Sequence, residues 1–358
     1  GDRHPSPMRA FSASSSPVAI RTWGHGIAGD DALQQLSGAE LISVIIPTFN
    51  RIGQTRRALA SVTAQTGIDP DDLEILVVDD ASTPPLALDA AGSNVRILRL
   101  ARNAGPAGAR NAGIAASRGE YLAFLDSDDS WLAGKLGRQA AAFKALERTQ
   151  DRSLMALTCG FYYPRRMSGR IEARLPHGAR QRGEFVLGCW FCPGSTLFVH
   201  RAALERVGPF DEKLKRLEDF EWFIRFGVLG GRLHVCPHMG VIVRPSYSVS
   251  YDEVLESSRL IWAELSAAGP FVLAPEERRR LLAYLELERG AAALIERRNL
   301  LACFHLAKSF LLIPRFRPAV GRFWERGGES PGDTDEICLG RGRPPMDILK
   351  KCNAENPD

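Results

Sequence analysis

Gly119-Glu120-Tyr121-Leu122-Ala123-Phe124-Leu125-Asp126-Ser127-Asp128-Asp129 is the stretch that decides the fold. An apolar run from Tyr121 to Leu125, of strand length and bounded by turn-forming residues, passes directly into a loop of carboxylates. Such a run reads as a strand buried on both faces, the kind found inside a parallel sheet. Upstream, residues 106–117 carry a helical pattern with Pro106 in the first turn and Gly119 just past the end. Further back, Val95 to Leu100 and Leu73 to Val78 repeat the strand signal, the second ending at Asp79-Asp80. Leu41 to Ile46 is a first strand ended by Pro47, and Ala58, Leu59 and Val62 recur at helical spacing behind it. Strands alternating with helices predict an α/β fold with a mostly parallel sheet, whose ligands bind at the carboxyl ends of the strands. The loops Pro47–Asn50, Asp79–Ser82 and Asp126–Asp129 should therefore meet at one sheet edge.

The second half is less regular. Leu154 to Tyr163 and the segment around Ile171 read as a hairpin turning at Ser168-Gly169, Gly194 to Val199 and Leu233 to Val243 as extended, and Glu218 to Leu229 as a helix with an apolar stripe. From about Tyr251 to Phe316 the pattern is helical. The expected organisation is a tail over 1–38, an α/β domain over 39–250, a helical extension over 251–320 and a weakly ordered tail over 321–358.

Composition narrows the class. With 45% hydrophobic and 25% charged residues the chain is of ordinary globular type, and a formal charge of +4 is far from the clustered basic surface of a nucleic-acid binder, so no nucleic-acid partner is expected. Seven cysteines, an odd number, favour a reducing compartment over a disulfide framework. Cys189 and Cys192 form a CxxC that Cys236 and His238 would have to complete as a zinc site, against buried thiols as the plainer reading. No apolar run reaches the roughly 18 residues of a membrane span and no secretory signal opens the chain, so the expectation is a cytoplasmic protein, with peripheral contact at the inner face of a membrane left open. Leu300–Phe304 and Phe310–Ile313, followed by Arg315 and Arg317, are compatible with such contact or with a homo-oligomer, and burial against the catalytic domain is the alternative.

Carboxylates at strand ends suit a divalent cation and the phosphates it carries, because hard Mg²⁺ or Mn²⁺ prefers oxygen ligands. Asp126 and Asp128 would serve that end. The same loop can also be read as the cap of a helix starting near Trp131. Glu218, Asp219 and Glu221 can equally be the acidic first turn of a helix. Gly105, Gly108 and Gly113 do not match a dinucleotide fingerprint and follow the third strand.

Six stretches occur in order: Val44–Asn50, Leu76–Ser82, Gly108–Gly113, Gly119–Asp129, Val207-Gly208-Pro209-Phe210-Asp211, and Leu217–Trp222 with Arg225. Together they resemble the signatures of the inverting glycosyltransferase family 2, across roughly residues 40 to 250. The resemblance implies a GT-A fold, a mixed and mostly parallel sheet flanked by helices, with a nucleotide-sugar half at 39–130 and an acceptor half at 131–250. It implies an inverting transferase using a nucleoside-diphosphate-sugar donor and a glycan or lipid-linked glycan acceptor. Pro47, Thr48 and Asn50 would shape the nucleotide loop and Asp80 would accept an N–H from the base. Uracil, thymine and guanine all have such a donor; a UDP- or dTDP-sugar is the expected donor, with a GDP-sugar the alternative. Asp79 would be structural. Arg110 would reach the diphosphate, Asp126 and Ser127 the nucleotide, and Asp128 with Asp126 a Mg or Mn ion. Asp219 would be the base, Glu218 its neighbour, and Gly194 and Trp222 would face the acceptor, Trp190 being a second candidate for stacking on a sugar. The family's usual histidine is absent from Val243–Ser250, where Arg244 offers a charge instead. A sugar-phosphate nucleotidyltransferase would need a Gly-rich basic loop after the first strand, and a catalytically silent sugar-nucleotide-binding protein would not need Asp128 and Asp219.

Overall fold

The computed structural model describes residues 41–88, 94–164, 171–244, 249–266, 269–314 and 324–326. The expected tail over 1–38, the Ser168-Gly169 turn and nearly all of 321–358 lie outside them.

The first half runs β1 (Ile42–Thr48), α1 (Ile52–Thr63), β2 (Leu73–Asp79), β3 (Val95–Arg99), α2 (Gly105–Ala116) and β4 (Tyr121–Phe124). β1 pairs in parallel with β2 and β4, and β2 with β3. Side chains alternate across these strands, and both faces are covered. Val44, Ile46, Ile75, Val77, Tyr121 and Ala123 enter a core against α1 and the later helix α3, whereas Ile45, Val78, Leu122 and Phe124 enter a second core against α2. Continuous apolar strands are the result.

The chain continues through β5 (Ser130–Trp131), α3 (Lys135–Glu147), β6 (Met155–Pro164), β7 (Ile171–Pro176), α4 (Arg182–Phe185), α5 (Pro193–Thr196), β8 (Phe198–His200), α6 (Arg201–Val207), α7 (Glu218–Val228) and β9 (Arg232–Ile242). β8 is antiparallel between β4 and β6, β7 closes the hairpin on β6, and β9 runs parallel to β6 while also holding β5. Among the described residues this makes one mixed, ten-stranded sheet.

Two local readings are corrected. Gly194 to Val199 is not one strand: Pro193–Thr196 is a helical turn, and only Phe198–His200 is extended. Pro193 opens the turn, and the Thr196 hydroxyl hydrogen-bonds the Phe191 and Cys192 carbonyls, which holds the chain coiled. Nor does a helix begin at Trp131. Ser130 and Trp131 pair with Ile242 and Val241, and the helix starts at Lys135 after Gly134 in a left-handed conformation (φ 78°). The edge of β9 takes the chain that helix capping would have used.

α8 (Tyr251–Ser266), α9 (Pro275–Ile295) and α10 (Asn299–Leu312) form the expected helical extension, and β10 (Trp324–Arg326), within the stretch expected to be weakly ordered, pairs antiparallel with β7. α7 is the hinge of the packing: Trp222, Phe223 and Phe226 face the second core, while Phe220 and Ile224 meet Ile261, Leu265, Leu281 and Leu285 of α8 and α9. None of the described helices is long and apolar enough to cross a membrane.

The extension is fastened by charge. Glu286, fully buried, accepts hydrogen bonds from Arg289 (2.7 Å), His305 (2.6 Å) and Lys308 (2.8 Å); Arg289 donates to Ser258, and Tyr251 pairs with His305. Burial alone would raise the Glu286 pKa, but the Lys308, His305 and Arg289 donors outweigh it and hold it below the ordinary glutamate value. A depressed folded pKa means the network contributes stability above the ordinary glutamate range and loses it as pH falls through the lowered value. Glu286→Gln is expected to cost about 3 kcal/mol in chemical denaturation at neutral pH, with the gap to the parent narrowing in acid.

Candidate active site

The three predicted loops meet. The amide of Asp80 donates to Thr48 O (2.9 Å), the amide of Asn50 to Ser82 Oγ (2.8 Å) and the amide of Thr83 to Asn50 Oδ1 (2.8 Å). Asn50 is thus the tie between the first two loops and stands outside the cleft wall. Arg51 joins the third loop, with Nη1 at 2.8 Å from Asp128 Oδ2.

Beyond the strand ends lies an open cleft of 1260 Å³, lined on one side by Pro47, Thr48, Asp80, Asp126, Ser127 and Asp128. Arg110, Gly194, Glu218 and Asp219 line it as well. Its far wall includes Val254 of α8 and Tyr284 and Glu288 of α9.

Asp79 and Asp80 hold different parts of the structure. Asp79 is buried and accepts from the amides of Ser82 and Leu86 and from Arg99 Nη1, so its role is to shape the turn. Asp80 accepts the amides of Ala104 (2.6 Å) and Gly105 (2.9 Å), which pins the start of α2 against the cleft. Its pKa is nevertheless raised by burial, which those amides oppose and Asp79 reinforces.

Arg110 occupies the floor. It is 5% exposed, with Nη2 at 2.7 Å from Asp126 Oδ1 and Nη1 at 2.5 Å from Glu218 Oε1. Salt bridging, the alternative to diphosphate contact for this arginine, is seen here as a buried rather than exposed bridge between the β4 loop and α7, and the side chain still lines the cleft. Burial works against its charge, but Asp126 and Glu218 outweigh this and hold it protonated.

Asp219 follows in the first turn of α7, whose N-cap, Leu217, is left-handed (φ 64°) and has no capping side chain. The acids do form a helical first turn, as one reading had it, yet they separate: Glu221 pairs with Arg225 in the interior, while Glu218 and Asp219 face the cleft. Burial, then the Glu218 charge, push the Asp219 carboxyl up to about 7, against the opposing pull of Arg110.

The Asp126–Asp129 loop crowds three carboxylates. Asp129, underneath, accepts from the Ser195 hydroxyl and from the Arg244 amide (2.7 Å). Burial and the Asp126 charge raise the Asp128 pKa, with Arg51 opposing, and Asp129 is raised well above its ordinary value by burial, Asp126 and Asp128. A loop of this kind is short of positive charge. It suits a hard cation that takes one or two carboxylates and completes its shell with water and phosphate. Among the described residues no group of three or more His, Cys, Asp or Glu side chains is arranged to hold a metal ion, so neither a closed zinc site at Cys189, Cys192, Cys236 and His238 nor a third protein ligand beside Asp126 and Asp128 is found.

Gly194 is required by Asp126 itself: a Cβ there would press into the Asp126 carboxylate. Trp222, expected on the acceptor side, is a correction. It is fully buried, its Nε1 bonded to Gly208 O (2.9 Å) and its ring stacked on Phe226, because α7 turns that face to the sheet. Trp190 is core as well, at 3% exposure. Arg51, Tyr284 and Glu288 were not anticipated. Arg51 directly follows the Val44–Asn50 stretch and is legible there, but no periodicity or motif distinguishes two α9 positions that reach the cleft only through tertiary packing.

A mixed, mostly parallel sheet that delivers a carboxylate loop into a cleft shared with an antiparallel half defines a GT-A fold. Residues 43–208 match the family described as glycosyl transferase family 2. The chain is 31% identical over 210 residues to the succinoglycan biosynthesis protein ExoO of Rhizobium meliloti, an alignment covering 56% of this chain and 60% of that one. It is 28% identical over 209 residues to the pre-mycofactocin glycosyltransferase of Mycobacterium tuberculosis, covering 55% and 41%. It thus spans less than two thirds of the length of either relative. The crystal structure of S. aureus TarS 1–349 in complex with UDP is similar at a TM-score of 0.48 and 20% identity, covering 77% of this chain and 93% of that one. Glu218 and Asp219 lie beyond the matched segment.

Removing the bridging cation tests the electrostatics directly. Arg110→Met leaves Asp126, Glu218 and Asp219 facing one another, and is expected to cost about 3–5 kcal/mol at neutral pH. Part of that loss should return on mild acidification as the carboxyls protonate, measured by denaturation at several pH values.

Proposed function

We propose that the protein is an inverting glycosyltransferase that moves a sugar from a nucleoside-diphosphate-sugar to a hydroxyl of a glycan or lipid-linked glycan. The observation that carries this reading is geometric: Asp219 lines the cleft beside Glu218, which Arg110 ties to the Asp126–Asp128 loop, and burial with the Glu218 charge pushes the Asp219 carboxyl up to about 7. A general base works best when its pKa lies near the operating pH.

In the reaction, Asp219 takes the proton of the acceptor hydroxyl as that oxygen forms its bond to the anomeric carbon. The bond from that carbon to the diphosphate breaks on the opposite face, and the nucleoside diphosphate leaves with the electron pair, so configuration inverts. Glu218 keeps Arg110 in place, and Arg110 in turn holds Asp126 towards the donor. Pro47 and Thr48 wall the nucleotide end, and Asp80 accepts an N–H from uracil, thymine or guanine, so UDP-, dTDP- and GDP-sugars share the chemistry it selects. A Mg²⁺ or Mn²⁺ ion held by Asp128 and Asp126 would neutralise charge on the departing diphosphate. ExoO, by its name, acts in the biosynthesis of a polysaccharide, which supports a glycan acceptor.

The test is nucleotide release across a panel of sugar nucleotides with Mg²⁺ or Mn²⁺. Asp219→Asn is expected to lower turnover by about 100-fold or more while donor binding persists. Because the base must be deprotonated and its pKa is raised, kcat of the parent should climb with pH through about 7. Turnover retained in Asp219→Asn, or a rate flat across neutrality, overturns the assignment.

A further inference from the structure

α10 is packed inside out. Its buried positions, Ala302, His305 and Ser309, are small or polar and are held by polar contacts to α9: His305 bonds to Glu286, and the Ser309 hydroxyl donates to Ala283 O (2.7 Å). Its outward positions are large and apolar. Leu300 is 90% exposed, Leu311 77%, Phe304 61% and Phe310 54%. Leu300, Phe304, Ala307 and Leu311 recur at steps of four, three and four and so form one stripe, about 16 Å long at the usual helical rise. Leu294 and Ile295, at the end of α9, are half exposed as well. Burial against the catalytic domain, the alternative weighed from the sequence, is not what this helix does with its apolar face.

The charge of the stretch of sequence that carries the stripe selects what covers it. Between Glu296 and Glu325 the sequence carries six cations, Arg297, Arg298, Lys308, Arg315, Arg317 and Arg322, and no acid; Arg298 is paired with Glu296 and Lys308 with Glu286. The six exceed the net +4 of the whole chain, so the remainder is net negative. A second copy docking through the same stripe would set cations against cations. An anionic surface would not, and an apolar stripe with basic flanks is the pattern of a helix lying in a lipid interface.

We propose that the outer face of α10 seats the protein on an anionic lipid bilayer, with Leu300, Phe304 and Leu311 entering the boundary between headgroups and acyl chains. The seat adjoins the cleft. Val254 of α8 lines the cleft and also packs in the small cluster with Ala292, Ala293 and Ala302 that supports α10.

The test is flotation of the full chain with vesicles of phosphatidylcholine alone or mixed with phosphatidylglycerol. Binding is expected to the mixed vesicles, to weaken with salt, and to fall about tenfold or more in Leu300→Glu/Leu311→Glu, since two exposed leucines are lost from the contact. Both positions point outward, so the variant should keep the parent's melting temperature and its nucleotide release in vesicle-free buffer; that assay reports on the transferase reading separately from the seat. No binding to mixed vesicles, or equal binding by the variant, overturns the proposal. A dimer seen by light scattering that the double variant dissociates also overturns it and assigns the face to a second copy.

Discussion

The site is organised around one buried cation. Arg110 sits between Asp126, at the end of a central strand, and Glu218, at the start of a helix that packs on both the sheet and the C-terminal extension. Asp126, Glu218 and Asp219, close together on the cleft, would otherwise repel one another, and a buried guanidinium without partners would be as costly. Each charge is tolerable only with the others in place. The β4 loop and the acidic end of α7, 92 residues apart at Asp126 and Glu218, are therefore held in one geometry by electrostatics rather than by chain connectivity.

This arrangement accounts for what the sequence made legible. β1, β2 and β4 are buried on both faces, so their apolar runs and the turn residues behind them carry the fold without help from context. The loops that follow inherit their meeting point from the parallel order of the strands. Where the reading failed, a distant partner had outbid a local signal. Asp126–Asp129 has the composition of a helix cap, but Ser130 and Trp131 are taken by β9 and the helix waits for Gly134. Trp222 lies three residues from Asp219, yet on a helix that spacing did not bring it to the cleft, and the indole faces the core. Tyr284 and Glu288 reach the cleft only because α9 packs against α7 and α8, a contact with no short-range trace.

The C-terminal helices show two opposite uses of polarity. Between α8, α9 and α10 the contacts include a dense set of charges and hydroxyls around Glu286, every one with a partner. Between α7 and the α8–α9 pair the contacts are apolar and aromatic, including Phe220 against Tyr284 at 4.6 Å between ring centroids. Apolar packing is tolerant of small slides, whereas a satisfied polar network specifies one arrangement. The network around Glu286 thus fixes how α8, α9 and α10 meet, while Arg182 with Glu277 adds a charged contact where the extension meets the preceding domain.

Asp129 carries a consequence of a different kind. Its carboxylate holds the Ser195 hydroxyl on one side and the Arg244 amide on the other, directly beneath the loop that bears Asp126 and Asp128. Three separate lengths of chain are knotted at a single side chain: the end of the central strand, the α5 turn and the exit from β9. None can shift alone without straining the other two. The loop that bears Asp126 and Asp128 is thereby tied, through one side chain, to the backbone at Arg244 and to the Ser195 hydroxyl, so its shape is set by chain more than 60 residues away in sequence.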